Sequence, residues 1–415
     1  MKKILFLLFI LIIPLRIYGL TYPSVNSKIV EIYDLNDNEV LYEIDSNKKT
    51  YIASLTKIAT VMTAIENIND LNHKVTITSK IMNTVNPAAS VAGLKVGDKV
   101  TYRDLLYAAM LPSGSDAVNA IAIASSGSIS NFVNKMNTLV KKIGLTNTHF
   151  ANVTGLDDAN NYSTASDIRK LLIYSLKNET FKKIYTSKNY TLSNGLKVES
   201  TINIYNQYSK LDDSEILGCK TGYTKNAGYC MAALADINGH EVLVILIKAK
   251  HEGTKYYNII DTINLIKFLN KNYKEEKIIN KNDLIKVIPV KLSNIDNYVV
   301  QATSDITKFL PSDYNRDNIR FEYVGKEDLD FRNKEGEKIG RVDYYYEDEL
   351  VGQEDVFINR NIKVSFRKVI KEYYYIMIIL IIILLLVFII LIKKLKRKNR
   401  QTKSYKNISY EVEII

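Results

Sequence analysis

Cysteine and histidine are scarce, two and four among 415 residues. Cys219 and Cys230 are too few to build a disulfide framework for an exported protein of this size, although one cross-strand bridge between them stays open. Both stand beside apolar strand residues, where a free thiol behaves as a small hydrophobe. His73, His149, His240 and His251 are scattered without ligand spacing, and no Gly-x-Ser-x-Gly stretch occurs. Neither a zinc hydrolase nor a Ser-His-Asp hydrolase is indicated, and no metal or cofactor is expected. Internal repeats are absent, as are low-complexity tracts outside the apolar ends.

The basic charge is not spread along the chain. Of the formal +11, eight Lys/Arg against two Glu follow Ile392, and Lys2, Lys3 and Arg16 lie in the first nineteen residues, so +2 remains for everything between. This basicity excludes nucleic acid as a partner. It marks membrane orientation and contact with anionic lipid headgroups.

With 47% hydrophobic and 24% charged residues, the chain suits a folded protein of two or three units. Residues 1–19 have the layout of a signal peptide: Lys2 and Lys3, an apolar run from Ile4 to Leu15, and a small residue at Gly19. An uncleaved anchor is the alternative. Ile376 to Ile392 is an unbroken apolar run behind Tyr373, Tyr374 and Tyr375. Residues 374–392 are therefore expected to span a bilayer of about 30 Å. Residues 393–415 form a basic tail, placed in the cytoplasm by the positive-inside rule, with everything from Leu20 to Tyr373 outside.

Between the ends, two patterns follow one another. The alternating stretch around Asn36-Asp37-Asn38 predicts a hairpin from Lys28 to Asp45. Helices are predicted from about Ser54, over Tyr102 to Met110, Asp116 to Ala124, Ile129 to Ile143 before Gly144, and Thr164 to Lys177 capped by Ser163. Three strands then run from Gly218 to Ala249 with an Asn238-Gly239 turn, followed by a helix from Thr254 to Leu269 and a linker over 270–277. Short strands at 278–368 predict a separate all-β domain after a mixed α and β domain at 20–272.

Ser-x-x-Lys occurs three times, at Ser46 to Lys49, Ser54 to Lys57 and Ser365 to Lys368. A serine hydroxyl becomes a strong nucleophile only when a base takes its proton, and a lysine one helical turn later can be that base. Only context chooses among the three. Ser46 sits in the polar exit of the hairpin, whereas Leu55, Ile58, Val61, Met62 and Ile65 form a core-facing stripe that starts a helix at Ser54. Serine is also a favoured N-cap, so this pattern by itself reads as an ordinary helix start.

Longer stretches carry more. ASLTK at Ser54, LKVGDKVTYRDLLYAAMLPSGSDA around Ser113, NVTGLDDANNYSTASDI around Gly155 and CKTGYTKNAGYC around Lys220 together resemble the D-alanyl-D-alanine carboxypeptidases of the low-molecular-mass penicillin-binding proteins. The resemblance covers essentially the whole chain, and the order Ser54, Ser113, Lys220 is the family's. It implies an α/β fold of the penicillin-binding and β-lactamase type, an antiparallel sheet flanked by helices plus a helical cluster, then a small all-β domain and a membrane helix. It also implies that Ser54 attacks the stem peptide of peptidoglycan, with Lys57 as base and Lys220 as the cation that keeps Lys57 neutral. Ser113 would relay a proton to the leaving D-alanine. Lys220 and Thr221 would hold the terminal carboxylate, Ser115 and Gly222 would line the substrate site, and the N–H groups of Ser54 and Tyr223 would form the oxyanion hole. β-Lactams would acylate the same serine.

One residue departs from the pattern. The family's Ser-x-Asn motif reads Ser113-Gly114-Ser115, so a carboxamide that donates and accepts is replaced by a shorter hydroxyl. Ser-x-Asn triplets at Ser24 and Ser187 lie outside the interhelical loop where the motif belongs. The alternatives are a DD-endopeptidase on the same fold and a catalytically impaired sensor of cell wall or β-lactam. A β-lactamase is disfavoured because Leu145 to Lys170 contains no Glu to activate a deacylating water.

Overall fold

The computed structural model describes residues 20–209, 211–253 and 255–411, so the signal peptide expected at 1–19 lies outside the described residues. The chain forms two units. One comprises residues up to Glu276 together with Phe309–Tyr314, the other Lys277–Lys308 and the chain from Asn315 onward.

The first unit is organised by five antiparallel strands, β1 (Ile29–Asp34), β2 (Glu39–Ile44), β3 (Ile216–Thr224), β4 (Gly228–Ile237) and β5 (His240–Ala249). They pair in the order β2-β1-β5-β4-β3, which leaves β3 as an open edge. Asn238 and Gly239 join β4 to β5 with φ of 53° and 91°, the left-handed pair that a two-residue hairpin needs. Alternation along β5 divides the core in two. Leu243, Ile245 and Ile247 face one apolar cluster while Val242, Val244 and Leu246 face the other.

Helices α1 (Thr56–Asn67), α2 (Tyr102–Met110), α3 (Ser115–Ser126), α4 (Ile129–Ile143) and α5 (Ala165–Leu176) pack in the first cluster. Their ends are specified locally. Thr101 and Asp104 close a reciprocal capping box on α2, while Gly127 and Gly144 end α3 and α4 in left-handed conformation. The cap of α5 is Thr164, which accepts from the Asp167 amide, and not the expected Ser163. All nine residues Thr56–Ala64 of α1 are buried, so this helix is enclosed on every side and not only along the predicted stripe. Lys57 is thereby carried into the interior.

The opposite face of the sheet is covered by α7 (Tyr257–Asn272) and contacted by α6 (Thr201–Ser209), a helix the sequence pattern did not announce. The predicted linker is a further correction, because Tyr273–Ile279 is a strand. Its buried residues, Tyr273, Ile278 and Ile279, stand at its two ends, and the four charged residues Lys274 to Lys277 between them are at least partly exposed, so no alternation announces the strand. Cys219 and Cys230 are free thiols. They lie in different apolar clusters, on opposite faces of the sheet, and so cannot meet.

The second unit holds short antiparallel sheets, including Ile319–Gly325, Lys338–Tyr346 and Glu349–Phe357. A single helix, Phe366–Glu411, ends the described chain, and its stretch Phe366–Arg400 is long and apolar enough to cross a membrane.

Candidate active site

Ser54 occupies a single 3-10 turn, Ala53–Leu55, directly ahead of α1. Ala53 has φ of +47°, a strained conformation for a residue with a side chain, and Gly155 and Gly222 pack against it. Gly155 itself has φ of +87°, and a Cβ there would lie 1.9 Å from the Ala53 carbonyl oxygen. The nucleophile candidate is thus held in a sharp turn gripped by two glycines.

The three Ser-x-x-Lys copies separate on geometry. Lys57 Nζ donates to Ser54 Oγ at 3.0 Å. The Ser46 hydroxyl donates to Glu43 at 2.5 Å, while Lys49 lies over the Tyr162 ring. Lys368 pairs with Asp296 at 2.6 Å. Only at Ser54 do serine and lysine meet.

Lys57 is 1% exposed and also donates to the Thr154 carbonyl at 2.8 Å. Burial, then the nearby Lys220 cation, hold its amine well below the ordinary lysine value, with Asp116 acting in the other direction. Lys220, on β3, is fully buried, which lowers it to about 8, and its Nζ donates to the Thr221 carbonyl at 2.8 Å. A buried lysine kept neutral by burial and a second cation can act as a base near pH 7.

One cleft gathers most of the residues picked out by sequence. Ser54, Lys57, Ser113, Ser115, Thr221, Gly222 and Tyr223 line it, and Lys220 lies buried on the same strand as the last three. Ser113, with φ of +63°, turns its hydroxyl into the interior without a hydrogen-bond partner among the described residues. Ser115 starts α3, is buried, and donates its backbone N–H to Ser90. Next to it, the Asp116 carboxylate accepts from the amides of Ala92, Gly93 and Leu94 at 2.8 to 3.0 Å, which fixes that loop beside the cleft.

Sequence reasoning passed over several other lining residues. Thr154 accepts from Lys57, and Thr201 hydroxyl pairs with Thr221 at 2.6 Å. Tyr205 and Tyr229 line the cleft as well. Thr154 lies in a stretch already quoted as part of the resemblance, but only the tertiary contact reveals its partner.

Comparison with known proteins follows the same lines. The profile of the family D-alanyl-D-alanine carboxypeptidase matches residues 19–251, and that of the penicillin-binding protein 5 C-terminal domain matches residues 273–364. The chain is 26% identical over 345 residues to D-alanyl-D-alanine carboxypeptidase DacF of Bacillus subtilis, covering 81% of this chain and 86% of that protein. It is 38% identical over 216 residues to a D-alanyl-D-alanine carboxypeptidase of Streptomyces, covering 49% and 74%. Among solved structures, penicillin binding protein 5 from Haemophilus influenzae superposes with a TM-score of 0.61 at 24% identity, covering 83% of this chain and all of that one, which shows the shared fold.

Proposed function

We propose that this chain, which belongs to the D-alanyl-D-alanine carboxypeptidase family, is a serine-type carboxypeptidase that removes the terminal D-alanine from peptidoglycan stem peptides through an acyl-enzyme on Ser54. The observation that carries the reading is the 3.0 Å contact between Ser54 Oγ and a fully buried lysine amine.

In the proposed cycle, neutral Lys57 takes the Ser54 proton as Oγ attacks the carbonyl carbon of the penultimate D-alanine. The backbone N–H groups of Ser54 and Tyr223 face the developing oxyanion. Gly222, the residue before Tyr223, has no side chain and so lets β3 approach the Ser54 amide. The carbon–nitrogen bond breaks, and the amine of the leaving D-alanine takes its proton through Ser113. Lys220 and Thr221 hold the terminal carboxylate, and Ser115 borders the peptide amide. Water then releases the shortened stem with the proton movements reversed. A β-lactam presents its strained amide to the same serine and acylates it.

Around this catalytic unit we propose that residues 1–19 direct export, that 374–392 span the cell membrane, and that the tail from 393 is cytoplasmic. The apolar helix and the basic residues behind it support that topology. The domain limits 20–272 and 278–368 are part of the same proposal. The test is release of D-alanine from a purified pentapeptide, which Ser54→Ala should abolish. Unchanged release in Ser54→Ala would contradict the reading.

A further inference from the structure

Lys57 Nζ has two partners, the Ser54 hydroxyl at 3.0 Å and the Thr154 carbonyl at 2.8 Å. A neutral amine carries two hydrogens and one lone pair, and a base must aim the lone pair at the proton it removes. A hydrogen bond from Nζ to a fixed carbonyl commits one hydrogen and hinders rotation about the Cε–Nζ bond; Nζ meets Ser54 as a donor in this structure and presents its lone pair there when the Ser54 hydroxyl turns its proton toward it. The carbonyl can do this only if its own position is fixed.

That position is set by Asn152. Its Oδ1 accepts from the Thr154 amide at 3.1 Å, the Thr154 hydroxyl at 3.1 Å and the Gly155 amide at 2.7 Å. Its Nδ2 donates to the Leu156 carbonyl at 3.0 Å. Both ends of one carboxamide thus clamp the three residues that carry the acceptor. Helix α1 holds the same loop one residue earlier, since the Thr60 hydroxyl donates to the Val153 carbonyl at 2.8 Å. Thr60 and Lys57 lie one turn apart, so consecutive carbonyls of the loop meet consecutive turns of the helix.

We infer that Asn152 is a positioning residue for the general base: it holds the Thr154 carbonyl against Lys57 Nζ and so orients the Lys57 lone pair toward Ser54. This rests on the reading of Lys57 as the base. The charged groups facing Lys57 are Lys220 on β3 and Asp116 on α3, and substituting the uncharged Asn152 leaves both in place.

The test uses the purified full-length protein, with the second-order rate of acylation by penicillin measured from pH 5 to pH 9 and the thermal midpoint measured alongside. Asn152→Leu keeps the branching at Cγ and removes every polar contact of the side chain. Its plateau rate is expected to fall by about a hundredfold, the scale of a misplaced catalytic group. Its acid limb should move to lower pH, because the lost carbonyl bond favoured the ammonium form. Asn152→Asp keeps the three accepted hydrogen bonds and adds a negative charge. Its plateau should stay within about tenfold of the natural protein while its acid limb moves to higher pH. A plateau within threefold for Asn152→Leu, or a fall with an unmoved acid limb, overturns the proposal. Lys57→Ala separates the two readings: natural acylation in that variant defeats the general-base assignment itself, whatever Asn152 does.

Discussion

Gly222 lies so close to Ser54 that a Cβ added to it would stand 2.6 Å from the Ser54 backbone nitrogen. The edge strand and the nucleophile turn are therefore in backbone contact, and the Lys-Thr-Gly sequence needs its glycine for a steric reason. Gly222→Ala must push the Ser54 turn away from β3. A displacement on the order of 1 Å at a reacting group costs about a hundredfold, so acylation by penicillin should fall by that much while the fold survives. Stopped-flow acylation together with circular dichroism checks this.

Lys220 supplies the second prediction. Burial is the first cause of the low Lys57 value and the Lys220 charge the second. Lys220→Met removes the second cause only, so Lys57 rises toward the ordinary range and is protonated over more of the pH scale. The acid limb of acylation should move to higher pH. In the natural protein, Lys220 loses its own proton near pH 8 and with it the attraction for a terminal carboxylate. Carboxypeptidase kcat/KM should therefore decline above about pH 8, which a pH profile on a pentapeptide will show.

The two serines of the middle motif should differ sharply. Ser113 lines the cleft and its Oγ is buried without a hydrogen-bond partner among the described residues, whereas Ser115 is a short hydroxyl where the family has a carboxamide. Ser113→Ala should lower acylation and D-alanine release by at least about a hundredfold. Ser115→Asn changes about one neutral hydrogen bond, roughly 0.5 to 1.5 kcal/mol, and should stay within about tenfold. If Ser115→Asn instead switches on an inert natural protein, the sensor alternative is correct.

Stability gives an independent check on the helical cluster. Phe132 on α4 is fully buried in the first apolar cluster. Phe132→Ala should cost about 3 to 5 kcal/mol by leaving a cavity, measured by denaturant titration of the folded protein.

How much of this was legible beforehand depends on the range of the signal. Strands β1, β2, β4 and β5 and helix α4 were visible because alternation, Asn-Gly and Gly144 are local. The motif serines and lysines could be ordered along the chain, and the structure brings Ser54, Lys57 and Ser113 to one cleft. Other features are products of tertiary packing. Helix α1 reads as amphipathic, yet its polar face is buried too, because Asn161 bonds to Thr56 and the Val153 carbonyl accepts from Thr60. Helix α6 lacks a clear apolar stripe, and Tyr273–Ile279 has four consecutive charged residues in place of an alternating pattern. The role of Asn152 is invisible in sequence, since an Asn in a polar loop has many uses and only its distances select one.

The central claim is that one serine of three Ser-x-x-Lys copies forms the acyl-enzyme. It is tested most directly by mass spectrometry of peptides from the protein after reaction with a fluorescent penicillin. The label is expected on Ser54, to be lost in Ser54→Ala and kept in Ser46→Ala. Label on Ser46 or Ser365, or label that survives in Ser54→Ala, would contradict the account.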